Sequence, residues 1–418
     1  MQRGLLAVLV LLFALLLASD ARVVKADEFF LRWLLTNTRP PGEHVPLTVV
    51  EIGREPLLGQ APEDAAGGGA AGDLVRGTRS GVAPLEYALF LQAILDYKPI
   101  VVAIEPLVKW REREKDQEQV FLDQAMRVPK LLLGAELTNT PDPDVPAPEI
   151  AGFAQVRGRR GDLPSFSGVA HQPDEDLRLI STLGFVNLPD EVFDETHVPL
   201  LFQYRGEVIP SFALQALLSW ARVPLGDVKI VLGSYIELPG ERRIPVENDG
   251  SLRINPNAAA LGRRMRLNEL LLLAQQKPAG KNPALETLHN DLILARTPLN
   301  PIAPPGIFAA AIATLQSNHF VHRISVVFDC ALLVLIALLA GPATRMGRLD
   351  LILATMGFFA TYCLVAFALM SRFQIWVPGV VPLSAAFLVL LIGLFWSRRR
   401  YPTVVTDVAG RPASNHKT

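Results

Sequence analysis

The chain has 418 residues, of which 50% are hydrophobic, and its mean hydropathy of +0.29 is high for a wholly soluble protein. Its 40 Lys and Arg residues nearly balance 41 Asp and Glu residues, so the overall charge gives no reason to expect nucleic acid as a partner. The two cysteines, Cys330 and Cys363, fall in apolar stretches near the C-terminus, which leaves the long middle region without a disulfide. We therefore expect part of the chain to lie in lipid.

The first apolar stretch runs from Gly4 to Ser19 and follows Arg3. Its residues are apolar on every side, which argues against a core helix. Two interpretations stay open: a signal peptide with a small-residue cleavage site near Ser19, or an uncleaved anchor whose helix continues through "DARVVKADEFFLRWLL". We favour the anchor and assign residues 1–25 to it. Under either interpretation the middle region lies outside the cytoplasm.

A strand, a helix and a second strand follow the anchor. "PLTVVEIG" (46–53) and "IVVAIEPLV" (100–108) are short, apolar, β-branched runs typical of buried strands, and "APLEYALFLQAILDYKP" between them has a helical apolar pattern. This spacing predicts a βαβ unit, and hence a parallel sheet with a right-handed crossover. A second unit follows, with a charged helix in "EKDQEQVFLDQAMRV" and a strand in "KLLLGAEL".

The rest of the middle region predicts more of the same elements. We expect a strand in "LGFVNLPD", strands and one long helix in "VPLLFQYRGEVIPSFALQALLSWA", and a hairpin turning at Asp249-Gly250 in "RRIPVENDGSLRINP". Residues 150–180 show no periodicity and are predicted to form a long surface excursion. Residues 26–322 are therefore expected to form one extracytoplasmic α/β domain built on parallel-sheet βαβ units.

Glu51 and Glu105 are the candidate ligand-binding residues of this domain. Each lies at or just past the carboxyl end of a predicted parallel strand, in "VVEIG" and "VAIEP". Ligands of open α/β sheets bind at those strand ends, so the two acids are placed to face one crevice. The alternative is that each acid caps a loop or an adjacent helix N-terminus.

Other candidate sites have weaker patterns. Gly67, Gly69 and Gly72 match G-x-G-x-x-G, but no strand precedes them and no helix follows, so a linker is the better interpretation. The acids of residues 174–176 beside His171 lack the alternation and central glycine of a calcium loop. The hydrolase signatures H-E-x-x-H and G-x-S-x-G do not occur. We predict no metal, no cofactor and no catalytic activity.

Three more apolar stretches lie near the C-terminus, at Ile324 to Gly341, Leu351 to Met370 and Ile375 to Trp396. A membrane span needs about 20 predominantly apolar residues. The connections between the stretches are too short to fold by themselves. Residues 323–398 are therefore predicted to form an antiparallel bundle of three transmembrane helices.

Basic residues predict the orientation. Arg3, the loop with Arg345 and Arg348, and Arg398–Arg400 should share the cytoplasmic side, which places both termini in the cytoplasm and predicts a multi-pass protein of the cell membrane. Residues 399–418 are polar and too poor in apolar residues to form a core, so they are predicted to be a short cytoplasmic tail without an effector domain.

Small residues lie on one side of the second of the three predicted C-terminal helices. Ala354, Gly357 and Ala360 are three residues apart, and a partner span is able to pack closely against such a surface. The alternative is that these residues pack only within the bundle.

The order and spacing of these segments resemble the class-two CHASE domain, a sensory extracellular module associated with cyclases and histidine kinases. The likeness covers nearly the whole chain and runs in order through "VVKADEFFLRW", "LTVVEIG", "EYALFLQAIL", "PIVVAIEPLV", "DQEQVFLDQAM", "KLLLGAEL", "LGFVNLPD", "IPSFALQAL", "IPVENDGSLRIN", "PPGIFAAAIATLQSNHFVHR" and "QIWVPGVVPLSAAF". The chain departs from the family in having Glu51 and Glu105 where aspartates are usual, "RSGVAPLEY" in place of a Trp/Pro/Arg motif, and no histidine in "PGIFAAA".

The resemblance implies a membrane sensor that detects an unidentified extracytoplasmic signal. Without a fused effector, such a sensor is expected to act through a separate membrane or cytoplasmic partner. A structural or assembly protein of the cell envelope and a membrane-bound enzyme with a site in the α/β crevice remain the alternatives.

Overall fold

The computed structural model describes residues 2–18, 20–53, 82–110, 115–141, 148–189, 196–276, 287–298, 303–304, 306–343 and 346–398. The chain forms two compact units, one made of Leu35–Val321 and the other of Met1–Leu34 with His322–Thr418. The glycine-rich segment around Gly67, Gly69 and Gly72 and the tail of residues 399–418 lie outside the described residues.

The larger unit is built around one mixed sheet. Its strands, in chain order, are β1 (Leu47–Glu51), β2 (Val101–Leu107), β3 (Leu131–Thr138), β6 (Gly168–His171), β7 (Thr182–Phe185), β15 (Arg263–Arg266) and β16 (Leu292–Arg296). They are ordered β15-β1-β16-β2-β3, and β3 then pairs with β7 in parallel and with β6 antiparallel. The strands β1, β2 and β16 are buried along nearly their whole length, as expected for strands covered on both faces.

Helices cover both faces of this sheet. On one face lie α3 (Pro84–Leu95), α4 (Lys115–Ala125), α5 (Glu175–Ile180) and α7 (Leu267–Gln276). On the other lie α6 (Phe212–Ala221) and α8 (Ile307–Ser317). Successive residues of a strand belong to the hydrophobic cores on opposite faces of the sheet: Val49 packs in the core beneath α6 and α8, and Val50 packs in the core beneath α3. The prediction of an α/β fold with parallel-sheet units is confirmed.

Smaller sheets extend the face that α6 and α8 cover. They are formed by β4 (Gln155–Arg157), β5 (Ser165–Phe166), β8 (His197–Pro199), β9 (Leu201–Tyr204), β10 (Glu207–Pro210), β11 (Lys229–Val231), β12 (Tyr235–Leu238), β13 (Arg242–Pro245) and β14 (Ser251–Arg253). Their orders are β10-β9-β5, β13-β12-β11-β4 and β14-β8. Residues 150–180 were expected to be an irregular excursion, and this was wrong: they contribute β4, β5 and β6 to three different sheets.

The first predicted strand–helix–strand unit forms, with β1 and β2 parallel in one sheet and β16 lying between them. The predicted hairpin at Asp249-Gly250 is wrong, although the turn itself forms, with the Gly250 N–H bonded to the Glu247 carbonyl at 3.0 Å. Its flanking strands pair elsewhere: β13 returns along β12 and β14 lies against β8.

The smaller unit consists of helices α1 (Gln2–Ala18), most of α2 (Ala21–Asn37), α9 (Val326–Ala343), α10 (Arg348–Phe373) and α11 (Val380–Arg398), with the short strands β17 (His322–Arg323) and β18 (Ile375–Trp376). The core between the helices includes Val10, Ala340 and Ala385, so α1 packs with the terminal helices. Continuation of the first helix through residues 20–35 was predicted and is wrong, because α1 and α2 are separate helices whose axes differ by 80°.

Among the described residues, α10 is the one unbroken helix that is both long and apolar enough to cross a membrane. The bent pair of α1 and α2 also passes this test when the two helices are taken together as one span. The apolar parts of the other two helices, Val327–Ala343 and Val380–Phe395, are shorter. Only Leu351, Tyr362, Ala366 and Met370 of the 26 residues of α10 are buried.

Candidate functional site

Four charged residues lie in a row at the carboxyl edge of the parallel strands. Arg266 pairs with Glu51 between β15 and β1, and Glu51 pairs with Arg296 between β1 and β16. Glu105 comes next, because the residues just before Arg296 and Glu105 pair between β16 and β2. The row therefore alternates positive and negative charge across four neighbouring strands.

Glu51 and Glu105 lie on the same face of the sheet. Ala103 and Leu107, which flank Glu105 in alternation, belong to the core beneath α6 and α8, and so does Val49, two residues before Glu51. Side chains alternate along a strand, so both acids point to this face. The two candidate residues thus share one side of one edge, with Arg296 between them.

Arg296 is the centre of the row. Its Nη2 donates to Oε1 of Glu51 at 2.5 Å, and the arginine residue is only 6% exposed. Glu105, on the neighbouring strand, is 2% exposed. Burying charged groups is costly unless they are paired, so the Glu51–Arg296 pair fixes both side chains to each other at the strand ends.

The N-terminus of α8 faces the same corner. Its N-cap residue is Gly306, with a φ of +93°, a conformation that favours glycine. A Cβ added to Gly306 would lie 3.0 Å from Nη1 of Arg296 and 3.6 Å from Nη2 of Arg264. Two guanidinium groups therefore approach the positive end of this helix.

A third acid, Glu86, lies on the opposite face of the same edge. Glu86, in the first turn of α3, accepts a hydrogen bond from the backbone N–H of Gly53, just beyond the end of β1. Glu86 is buried, and that burial raises the pKa of its carboxyl above the ordinary value, an effect that the Gly53 N–H partly offsets.

Arg296 and Glu86 were missed from the sequence. In "LILAR" (292–296) a short apolar run is followed by a charged residue, as in "VVEIG" and "VAIEP". That shared pattern was the available signal. Glu86 carried no such signal, because a glutamate in the first turn of a helix is common on solvent-exposed faces.

The other sequence candidates lie elsewhere. Nδ1 of His171 is 2.6 Å from Oε2 of Glu136, and the described residues contain no group of three or more His, Cys, Asp or Glu side chains placed to hold a metal. An open groove of about 510 Å³ lies at the opposite edge of the sheet, where it is lined by the first residues of β2, β3 and β7 and by Arg222. It is the amino edge, which open α/β sheets do not ordinarily use for ligands.

Ala354, Gly357 and Ala360 of α10 are exposed on the surface of the helical unit. A Cβ added to Gly357 would meet no atom within 4 Å. The described helices therefore do not use this surface to pack against each other.

No family model, no curated protein and no solved structure matches the chain.

Proposed function

We propose that the protein is an integral membrane sensor of the class-two CHASE type, which binds an extracytoplasmic signal at the carboxyl edge of its sheet and acts through a separate partner. The observation that carries this proposal is the row of Glu51, Arg296 and Glu105, in which Arg296 and Glu105 are buried and Glu51 is partly buried. Three charged side chains on neighbouring strands at the ligand-binding edge of an α/β sheet are typical of a recognition site.

The apolar surface of the helical unit supports membrane insertion. Val327, Leu338, Leu353, Leu364 and Phe395 are each between 60% and 78% exposed. A soluble protein rarely leaves so much apolar surface in water, whereas lipid removes that cost. We propose four spans, formed by α1, α9, α10 and α11, with both termini in the cytoplasm and the α/β unit outside.

The exposed small residues of α10 support output through a partner helix. Ala354, Gly357 and Ala360 allow close approach of another backbone, and in lipid such surfaces are a common site of helix association. The alternatives to a sensor are a structural or assembly protein of the cell envelope and a membrane-bound enzyme.

One screen separates the three classes. The full chain in lipid nanodiscs is unfolded by heat in the presence of pools of small envelope metabolites. The variant Glu105→Gln and the control Glu237→Gln, whose residue lies on the separate sheet that contains β12, are measured in the same way. If the protein is a sensor, one pool of metabolites raises its unfolding temperature and is recovered chemically unchanged; Glu105→Gln loses this stabilisation and Glu237→Gln keeps it. Turnover of a pool would favour the enzyme, and the lack of any stabilising pool would favour the scaffold.

A further inference from the structure

The corner between Arg296 and the N-terminus of α8 concentrates positive charge. The first N–H groups of an α-helix have no acceptor within the helix, and the helix dipole adds partial positive charge there. Nη1 of Arg296 and Nη2 of Arg264 both approach the N-cap residue Gly306. Gly306 has no side chain that could cap the helix.

Glu51 accepts a hydrogen bond from only one of the side-chain nitrogens of the buried Arg296. It accepts from Nη2 of Arg296, whereas Nε and Nη1 have no hydrogen-bond partner among the residues that the structure describes. These two donors lie on a residue that is 94% buried, and one of them points to the helix end. Buried donors without acceptors are costly, so such an arrangement is typical of a site that a ligand completes.

We propose that this corner binds the oxyanion group of a small ligand, a carboxylate or a phosphate. Arg296 supplies buried donors, and the exposed Arg264 supplies a second guanidinium at the entrance. The first turn of α8 supplies backbone N–H groups beyond that of Ile307, which donates to the Pro304 carbonyl. This inference deepens the proposed function by giving the chemical class of the signal, and its biological role rests on that function.

The neighbouring acids limit the ligand further. Glu51 and Glu105 lie beside Arg296 on the flanking strands and repel a molecule with several negative charges. A ligand with one oxyanion group and a cationic or hydrogen-donating group at its other end fits this charge pattern better than a bare polyanion.

The lack of a Cβ at Gly306 keeps the corner open. An added methyl group would occupy the space beside Nη1 of Arg296 in which the oxyanion is expected to lie. Gly306→Ala should therefore block the site, while Arg264→Gln removes one donor group from an exposed position without disturbing the core.

The test uses the full chain in nanodiscs and measures thermal unfolding with sodium acetate, inorganic phosphate or sodium chloride at equal ionic strength. We expect acetate or phosphate to stabilise the protein beyond chloride, which identifies the preferred oxyanion. The apparent affinity should fall roughly tenfold in Arg264→Gln, as expected for the loss of one charge-assisted hydrogen bond. Gly306→Ala should lose the effect, and the control Arg159→Gln, an exposed residue beyond the end of β4, should keep it.

Equal responses of wild type, Arg264→Gln and Arg159→Gln would overturn the proposal, as would the lack of any effect beyond chloride. If Gly306→Ala fails to fold, the comparison of the two arginine variants decides. If oxyanion binding depends on Arg264 but Arg264→Gln leaves cellular signalling unchanged, the site stands and the sensor function falls.

Discussion

Arg296 and Glu51 end two adjacent parallel strands, and Nη2 of the arginine lies 2.5 Å from Oε1 of the glutamate. The pair is at once a structural contact and part of the candidate site. Variants of Glu51 would therefore change stability as well as the proposed ligand binding. Of the two candidate acids, Glu105 is better suited to test binding, because it lies outside this pair.

The Glu51–Arg296 pair should contribute measurably to stability. Breaking a buried pair by removing one partner leaves the other charge uncompensated, so we expect Glu51→Gln and Arg296→Gln each to lower the free energy of unfolding by about 3 kcal/mol. The double variant should cost clearly less than the sum, which a double-mutant cycle of chemical unfolding in detergent measures. The surface pair of Lys229 and Glu237, 3.9 Å apart, is the control, and its loss should cost at most about 1 kcal/mol. Additive effects at Glu51 and Arg296 would contradict the prediction.

Glu86 should make stability depend on pH. Burial raises the pKa of its carboxyl above 4.5, so the folded state holds the proton more tightly than the unfolded state. Its contribution to stability is full below pH 4.5 and is lost as the pH rises through the raised pKa of the folded protein. Glu86→Gln should therefore flatten the fall in apparent Tm from pH 4.5 upward.

The control for Glu86 is Glu269→Gln, an exposed glutamate in the first turn of α7. We expect it to leave the pH profile unchanged. A Glu86→Gln profile as steep as that of the wild type would show that Glu86 ionises without cost in the folded protein.

Two glycines of the helical unit should respond differently to the same substitution. A Cβ on Gly393 of α11 would overlap a side-chain atom of Leu351, whereas one on Gly357 meets nothing within 4 Å. We expect Gly393→Leu to reduce the amount of folded protein in membranes, because overpacking forces the helices apart. Gly357→Leu should preserve membrane levels and instead weaken the proposed response through a partner helix. Normal signalling by Gly357→Leu would argue that no partner uses this surface.

Asp27 should stabilise the start of α11. Its Oδ1 accepts hydrogen bonds from the backbone N–H groups of Gly379 at 2.9 Å and Val380 at 2.8 Å, which are donors that a helix N-terminus leaves free. We expect Asp27→Ala to lower the stability of the helical unit by about 1–2 kcal/mol, the usual cost of losing a cap. Glu28→Ala, at the exposed neighbouring position, should cost little in the same unfolding measurement. Equal losses in both variants would contradict the capping role.

The proposed membrane topology can be tested with reporter fusions. A reporter inserted at Gly240, in the exposed turn between β12 and β13, should be active only outside the cytoplasm, and one placed after Arg400 only inside it. We expect this pattern because basic residues cluster at the same ends of the apolar stretches. The reverse pattern, or one side for both reporters, would exclude the four-span arrangement.

The sequence by itself determined the elements with strong local patterns. Hydrophobic periodicity predicts the strands β1, β2 and β3, the helices between them and the terminal helices. A strand buried on both faces is a continuous apolar run, and a helix buried along one stripe has apolar residues at helical spacing, so both patterns are visible in the order of residues. The positions of Glu51 and Glu105 at strand ends follow for the same reason.

Only the tertiary structure decided which strands are neighbours. β16 enters between β1 and β2 from about 190 residues further along the chain, which no local pattern specifies. This long-range pairing brings Arg296 between the two acids and joins two separate strand ends into one charged row. The same holds for α8, because its N-terminus reaches Arg296 and Arg264 only through packing of the helix on the sheet, and packing depends on the shape of the whole core rather than on neighbours in sequence.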